Sequence, residues 1–407
     1  MFRIVADRIG VHMFQGGTFW FFLAAIVLLF WSIPLRGRAP FLSVTSLLYL
    51  LTLGGTGPLI AAGLAVVFYL VAPRRGGGSG TGRAVRTVVL CVGAFALLAY
   101  FKYSPMIAAQ WGYPTAGGIL LPLGISYFTF KLVHYAIEVW RGTMPAHGFG
   151  DFVAYVLFFP TFTIGPIERF DHYLSQRVLK FQKDMFVEGL SRIIHGLIKR
   201  FALVDVVLPM IWGPILPLDQ LLVGLPQTSP IDVWWFLGRS YILAYLEFSA
   251  YSDMAIGSSR LFGVRILENF RFPILATSIS DFWQRWHMTL AGWCQAYVYM
   301  PLIGATRNPY LASYLAFTAI GLWHAATFQW LVWGLYHASG IVAHAAYRRY
   351  KFNHRWKGPS GWWWSLGAWG ATQLFVTSAY SFTCTYPNHS FHDSVRIFVR
   401  LLGGNFG

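Results

Sequence analysis

Apolar residues in this chain come in long blocks, not in short alternations. The blocks are Gly16–Pro34, Phe41–Ala72, Thr87–Tyr103, Gly118–Trp140, Phe152–Ile167, Ile193–Ile215, Val233–Phe248, Pro309–Ala345 and Trp362–Phe382. A helix that crosses a bilayer needs about 20 mostly apolar residues. Some blocks exceed one span and some fall short, so the pattern predicts roughly ten membrane helices in an all-α chain. Phe41–Ala72 would measure about 48 Å as one helix. Basic residues flank it on both sides, Arg36 and Arg38 before and Arg74, Arg75, Arg83 and Arg86 after. Keeping both basic loops on one face requires two crossings, broken at Gly54-Gly55-Thr56-Gly57-Pro58; the alternative is one long tilted span that departs from the positive-inside rule.

Three stretches do not read as spans. Arg169–Arg200 is amphipathic and basic, which predicts a cytoplasmic loop and a helix lying along the interface. Arg348–Lys357 is a second basic, cytoplasmic stretch. Tyr251–Tyr299 mixes polar residues with many Trp and Phe. That mixture suits backbone buried in protein at membrane depth around a cavity.

Composition narrows the class. Hydrophobic residues make up 56% of the 407 residues, charged residues 11% and aromatic residues 18%. Soluble domains carry about 25% charged residues, so a water-soluble globule is excluded, and the aromatic content excludes disorder. With a mean hydropathy of +0.52, the chain reads as a polytopic membrane protein. Its excess of 31 Lys and Arg over 15 Asp and Glu sits in loops between apolar blocks. That distribution fits positive-inside loops and not nucleic acid. Cys91, Cys294 and Cys384 lack metal-ligand spacing, and Cys91 and Cys294 read as packing residues. The first apolar run, Phe19–Phe30, continues into Trp31 and Pro34 without a small-residue cleavage site, so no cleavable leader is expected.

Candidate chemistry gathers on histidines. As a single helix, Ser280–Val298 would place Trp283, Trp286, Leu290, Trp293 and Tyr297 in one aromatic stripe. His287 would lie on a neighbouring small or polar face, with Asp281 and Arg285 paired at i,i+4 on the far side. Spacing alone leaves a satisfied core histidine and a functional one equally open. His324, in Gly321-Leu-Trp-His324-Ala-Ala-Thr, falls inside an apolar block, where an imidazole points by default to function. Gly321 and Ala325 leave room for a substrate or another backbone. His337 would lie about 20 Å along a straight helix, on its opposite side, which favours a structural role. Asp253, in Tyr251-Ser-Asp-Met, can orient a histidine, hold a hydroxyl or cap a helix, and Asn269 can serve a site or a turn. No phosphate loop, zinc spacing or nucleophile elbow occurs. Two histidines in a dry aromatic site fit general-base chemistry on a hydroxyl.

The run Asp281-Phe-Trp-Gln-Arg-Trp-His287, followed by Gly321-Leu-Trp-His324, resembles the membrane-bound O-acyltransferase (MBOAT) family. The likeness is to its bacterial branch of alginate O-acetyltransferases and teichoic-acid D-alanyl transfer proteins. Further matching stretches are Leu121–Phe130, Phe158–Phe170, Phe248–Gly257, Glu268–Phe270, Asp281–Leu302 and Gly321–His337. Tyr251-Ser-Asp-Met-Ala-Ile-Gly257 and Tyr297-Val-Tyr-Met-Pro-Leu302 are nearer the alginate type. The resemblance implies one membrane domain over residues 1–407, its catalytic half at 240–345, with helices ringed around a central tunnel. It implies His324 as general base and His287 as the second catalytic position, with Trp286, Trp323, Tyr251, Ser252, Asp253 and Asn269 toward substrate and no metal.

The implied reaction moves an acyl group, expected to be acetyl, from a cytoplasmic thioester to a hydroxyl for polysaccharide modification outside the cell. The donor would be acetyl-CoA or an acyl carrier protein thioester, with no tightly bound cofactor. The implied partners are a glycan-modifying acetyltransferase or a glycan synthase complex, together with membrane lipids, at the bacterial inner membrane. D-alanyl-type transfer is the second reading and a transporter the reading from another class. Two departures bear on the acceptor. Gln295-Ala296-Tyr297 replaces the family's usual Arg-Asp before Tyr, and the chain ends at Gly407, ahead of the spans alginate-type members carry.

Overall fold

A computed structural model of the chain describes residues 13–73, 80–110, 121–213 and 216–405. Within them the protein is helical, with one isolated bridge, Arg177 to Val264, and no strand. In chain order the helices are α1 (Gly17–Ser32), α2 (Leu35–Thr52), α3 (Gly57–Val71), α4 (Gly80–Gln110), α5 (Ile125–Arg141), α6 (Phe149–Val156), α7 (Phe170–Ser175) and α8 (Lys183–Leu197). A π-helical turn (Ile198–Val207) leads into α9 (Leu208–Trp212), α10 (Leu218–Gly224) and the long α11 (Pro230–Leu261). Then come α12 (Ile279–Trp283), α13 (Met288–Cys294), a second π-helical turn (Gln295–Tyr299) and α14 (Met300–Thr306). The chain closes with α15 (Pro309–His324), α16 (Phe328–Asn353), α17 (Trp362–Thr383) and α18 (Phe391–Leu401).

Among the described residues one helical segment, Gly80–Pro105, combines the length and composition of a span, with a mean hydropathy of 2.0. Gly17–Ser32, Gly57–Val71 and Phe149–Thr161 are apolar but shorter. The block Phe41–Ala72 breaks where expected: α2 stops at Thr52 and α3 starts at Gly57, with Gly54 and Gly55 at positive φ between them. The Gly-rich stretch that follows lies partly outside the described residues, as does the start of Gly118–Trp140. Phe152–Ile167 does not form one continuous helix. Pro160 and Gly165-Pro166 interrupt it, leaving α6 and a 3-10 turn at Phe159–Thr161, with residues 154–168 buried. Non-helical backbone at such burial must be satisfied by protein.

The residues fall into two compact units. Among the described residues, one comprises 13–197 with Ala250–Glu268, and the other 198–249 with 269–405. In the first unit α4 packs on α5, and α6 lies against α2 and α3. Stacked rings fill its core, Tyr135 on Phe152 at 3.9 Å and Phe22 on Tyr49 at 4.4 Å. Its buried charges are tied to backbone. Lys131 donates to the Tyr155 carbonyl and the Thr161 hydroxyl, both at 3.2 Å. The Glu168 carboxylate accepts from the amides of Arg169 (2.8 Å) and Leu267 (2.7 Å) and meets His172 Nδ1 at 2.9 Å.

The second unit is built on the α15–α16 hairpin, with α17 against α16 and α18 against α17. Pro309–Ala345, one block in sequence, is therefore two helices. Asn308 caps α15, its Oδ1 accepting from the amides of Tyr310 and Leu311 at 3.0 and 3.1 Å. The last turn of α15 ends as Ala325 becomes extended, and Thr327 starts α16. Gly321 and Gly334 allow the two backbones to touch. A Cβ on Gly321 would stand 2.3 Å from the Trp330 carbonyl oxygen, and one on Gly334 would stand 2.5 Å from that of Phe317. Close approach at small residues is a common way for membrane helices to pair.

Candidate active site

His324 is the last residue of α15, and the hairpin encloses it in indoles. Its ring stacks on Trp330 with centroids 4.2 Å apart and planes 16° apart. Trp323 and Trp333 stand edge-on, at 4.6 and 5.7 Å. Trp330 and Trp333 are buried, while His324 is partly accessible. The room that Gly321 leaves is taken by the backbone of α16, so it sets the hairpin's spacing.

His287 is held differently from the sequence expectation. Ser280–Val298 is not one helix. Ser278 caps the short α12, its side chain accepting from the Asp281 amide at 3.1 Å. The chain then turns through His287, whose φ of 43° is left-handed, before α13 begins. A non-glycine residue in that region costs about 1–2 kcal/mol and needs outside support. Asn269, fully buried, supplies it. Its backbone carbonyl accepts from the Met288 amide at 2.9 Å. Its Oδ1 accepts from Thr289 Oγ1 at 2.8 Å and meets His287 Nδ1 at 3.0 Å. The Thr289 amide also points at Oδ1, at 3.4 Å, which identifies that atom as oxygen and makes His287 Nδ1 the donor. In the neutral ring Nε2 then carries the lone pair. Phe248 closes one side edge-on at 4.8 Å. The expected Asp281–Arg285 pair is present at 2.7 Å.

A seam of aromatic rings joins the two histidine neighbourhoods. Trp286, next to His287, stacks on Phe282 at 5.6 Å, and Phe282 lies parallel to His337 at 6.4 Å. His337 touches Trp333 at 4.7 Å, and Trp333 touches His324. The hairpin thus places His337 one ring from His324; the straight-helix estimate that separated them fails because Ala325 ends α15. Around these rings, buried Trp283 Nε1, Trp330 Nε1, Thr327 Oγ1 and His337 Nδ1 have no hydrogen-bond partner among the described residues. Native proteins rarely leave such atoms unpaired unless water or a substrate serves them.

The remaining expected residues, Asp253, Tyr251 and Ser252, belong to the first unit. Asp253 pairs with Arg192 Nε at 2.6 Å, and Arg192 also reaches Glu268 at 2.5 Å. The Tyr251 hydroxyl accepts from Gln15 Nε2 at 3.0 Å, and Ser252 is buried beside it. Cys91, Cys294 and Cys384 are free thiols, the last two buried.

Among the described residues, an indole-boxed histidine on a helical hairpin and a second histidine clamped by asparagine mark the candidate site of an all-helical chain. The chain belongs to the membrane-bound O-acyltransferase family, whose model matches residues 125–381 and so includes Asn269 and both histidines. It is accordingly a membrane protein. A probable alginate O-acetylase AlgI of Pseudomonas aeruginosa is 34% identical over 306 residues, covering 71% of this chain and 57% of the relative. A teichoic acid D-alanyltransferase of Bacillus subtilis is 28% identical over 292 residues (66% and 70%). A peptidoglycan O-acetyltransferase of Helicobacter pylori is 28% identical over 293 residues (62% and 53%). The alginate type is the nearer of these. The chain spans about half the length of the alginate O-acetylases it matches.

Proposed function

We propose that this chain transfers an acyl group, acetyl in the first instance, from a cytoplasmic thioester to a hydroxyl destined for an extracytoplasmic polysaccharide. The observation that carries the reading is the environment of His324. A general base must sit where a hydroxyl can reach it and where water is scarce. His324 is partly accessible yet walled by three indoles. The acceptor oxygen forms a bond to the thioester carbonyl carbon as His324 takes its proton. The carbon–sulfur bond then breaks, and the thiolate leaves with that proton returned to it. The face of Trp330 favours the imidazolium while it exists, by about 0.5–2 kcal/mol. His287, its Nδ1 committed to Asn269, offers the Nε2 lone pair to a second proton or hydroxyl.

The donor in this reading is acetyl-CoA or an acyl carrier protein thioester, and the basic stretch Arg169–Arg200 suits the negative cytoplasmic leaflet or an acidic carrier. The roughly ten helices surround a tunnel across the bacterial inner membrane, and a glycan-modifying acetyltransferase or glycan synthase completes the transfer. D-alanyl transfer from a carrier is the second reading, favoured by the 70% of the Bacillus subtilis relative that the chain covers.

The deciding experiment is His324→Ala in purified protein supplied with acetyl thioester and an acceptor glycan. The variant is expected to keep its elution profile and to lose about 10²–10⁴-fold in acyl transfer. Unchanged transfer refutes the base assignment. Solute flux into liposomes without thioester turnover would mark a transporter instead.

A further inference from the structure

A cavity of about 410 Å³ lies in the second unit, away from the two histidines in sequence. Its walls are largely apolar, including Leu208, Trp212, Phe236 and Leu243, and it also contacts Asp205, Arg239 and Glu247. Arg239 is the unusual member. It is buried, about 8% exposed, on α11. Its Nη2 donates to the Gly213 carbonyl at 2.7 Å, and its Nε has no partner among the described residues. The guanidinium stands 5.8 Å from the Trp212 ring and 6.0 Å from that of Trp235.

Among the described residues no carboxylate pairs with Arg239. Asp205 is held by Arg200 at 2.5 Å, and Glu247 has interactions of its own. Arg177, Arg192, Arg260 and Arg285 each have a carboxylate partner. A guanidinium buried among apolar side chains without a counter-charge is costly. It has unused donors in a planar fork, a shape that suits phosphate.

We propose that this cavity binds a membrane phospholipid by its phosphate, with Arg239 as the phosphate ligand. The surroundings select a lipid over a soluble phosphate. Met210, Ile211, Leu216 and Trp235 beside the cavity are exposed, the last by 52%. In a membrane protein such residues face acyl chains, and the phosphate's source is the bilayer around them. The volume suits a headgroup and glycerol, with the tails left in the bilayer. The site takes no part in the acyl-transfer reading and stands or falls apart from it.

The test is native mass spectrometry of the full chain in detergent, with phosphatidylethanolamine, phosphatidylglycerol or diacylglycerol added. One phospholipid per chain is expected to survive detergent exchange, and diacylglycerol is not. Arg239→Met should lower the bound fraction about tenfold or more. Leu243→Trp, which fills the cavity and leaves the arginine in place, should do the same. Both variants are to be scored only after size-exclusion profiles match the parent. Equal retention in both variants overturns the proposal, as does equal binding of diacylglycerol. Displacement by millimolar inorganic phosphate would identify a general anion site and also overturn it.

Discussion

Asn269 does more at the level of single residues than its sequence neighbourhood suggests. It satisfies a backbone amide, a hydroxyl and an imidazole, and it stabilises the left-handed turn at His287. Asn269→Ala is expected to destabilise the protein by about 1–3 kcal/mol, because Thr289 and His287 lose a buried acceptor. Thr289→Val, which removes one donor only, should cost about 1 kcal/mol. Thermal unfolding in detergent checks both, and a larger loss from Thr289→Val would contradict the clamp. A second residue-level prediction concerns pH. The hydrogen bond that His172 donates to Glu168 raises the titration of His172 above its ordinary 6.5, against the opposing effect of burial. A raised folded value means the bond stabilises fully below about pH 6.5 and loses that contribution as pH climbs through the folded value. Midpoints recorded from pH 5.5 to 9 should fall over that range, and Glu168→Gln should flatten the slope. At this scale the histidines, Asn269 and the Asp281–Arg285 pair were legible from residue type and motif. The roles of Gln15 and Arg192 were not, because each partner lies far away in the chain.

Between residue and whole chain, the α15–α16 hairpin decides what His324 touches. Gly321 and Gly334 each face the backbone of the opposite helix, so neither has space for a side chain. Gly334→Val should force the helices apart, at about 1–3 kcal/mol, and should reduce acyl transfer more than it reduces folded yield. Gly63→Ala, where nothing lies within 4 Å, is the matched control and should be silent. Elements with a break signal were readable: the Gly-Gly-Thr-Gly-Pro stretch divides α2 from α3 as expected. Elements divided by tertiary contacts were not. Nothing local in Gln284–His287 forbids a helix; Asn269 imposes the turn from eighteen residues upstream. The end of α15 was missed because Ala325-Ala326-Thr327 carries neither Gly nor Pro. The small α18 forms no apolar block because it is amphipathic, although Ser390 and Asp393 form a capping box at its start.

For the molecule as a whole, the charge pattern makes a topological prediction. Single cysteines introduced at Arg38 and Arg83 should both react with a membrane-impermeant maleimide from the cytoplasmic side, and one at Gly55 only from the other. Labelling of Arg38 and Gly55 from one side would refute the paired crossing of α2 and α3. Membrane character was legible at this scale because composition is summed over 407 residues. The count of spans was not, because long helices such as α11 and α16 carry polar residues and fall short of a uniformly apolar pattern. One consequence of the short turn after His324 reaches beyond this chain. Three residues join the two rods, and they leave no slack. Adding or deleting one would swing Trp330 and Trp333 about 100° around their axis, off the imidazole they enclose. Homologues can therefore exchange the letters of that linker freely but not its length, and a hybrid spliced there works only when both parents count alike.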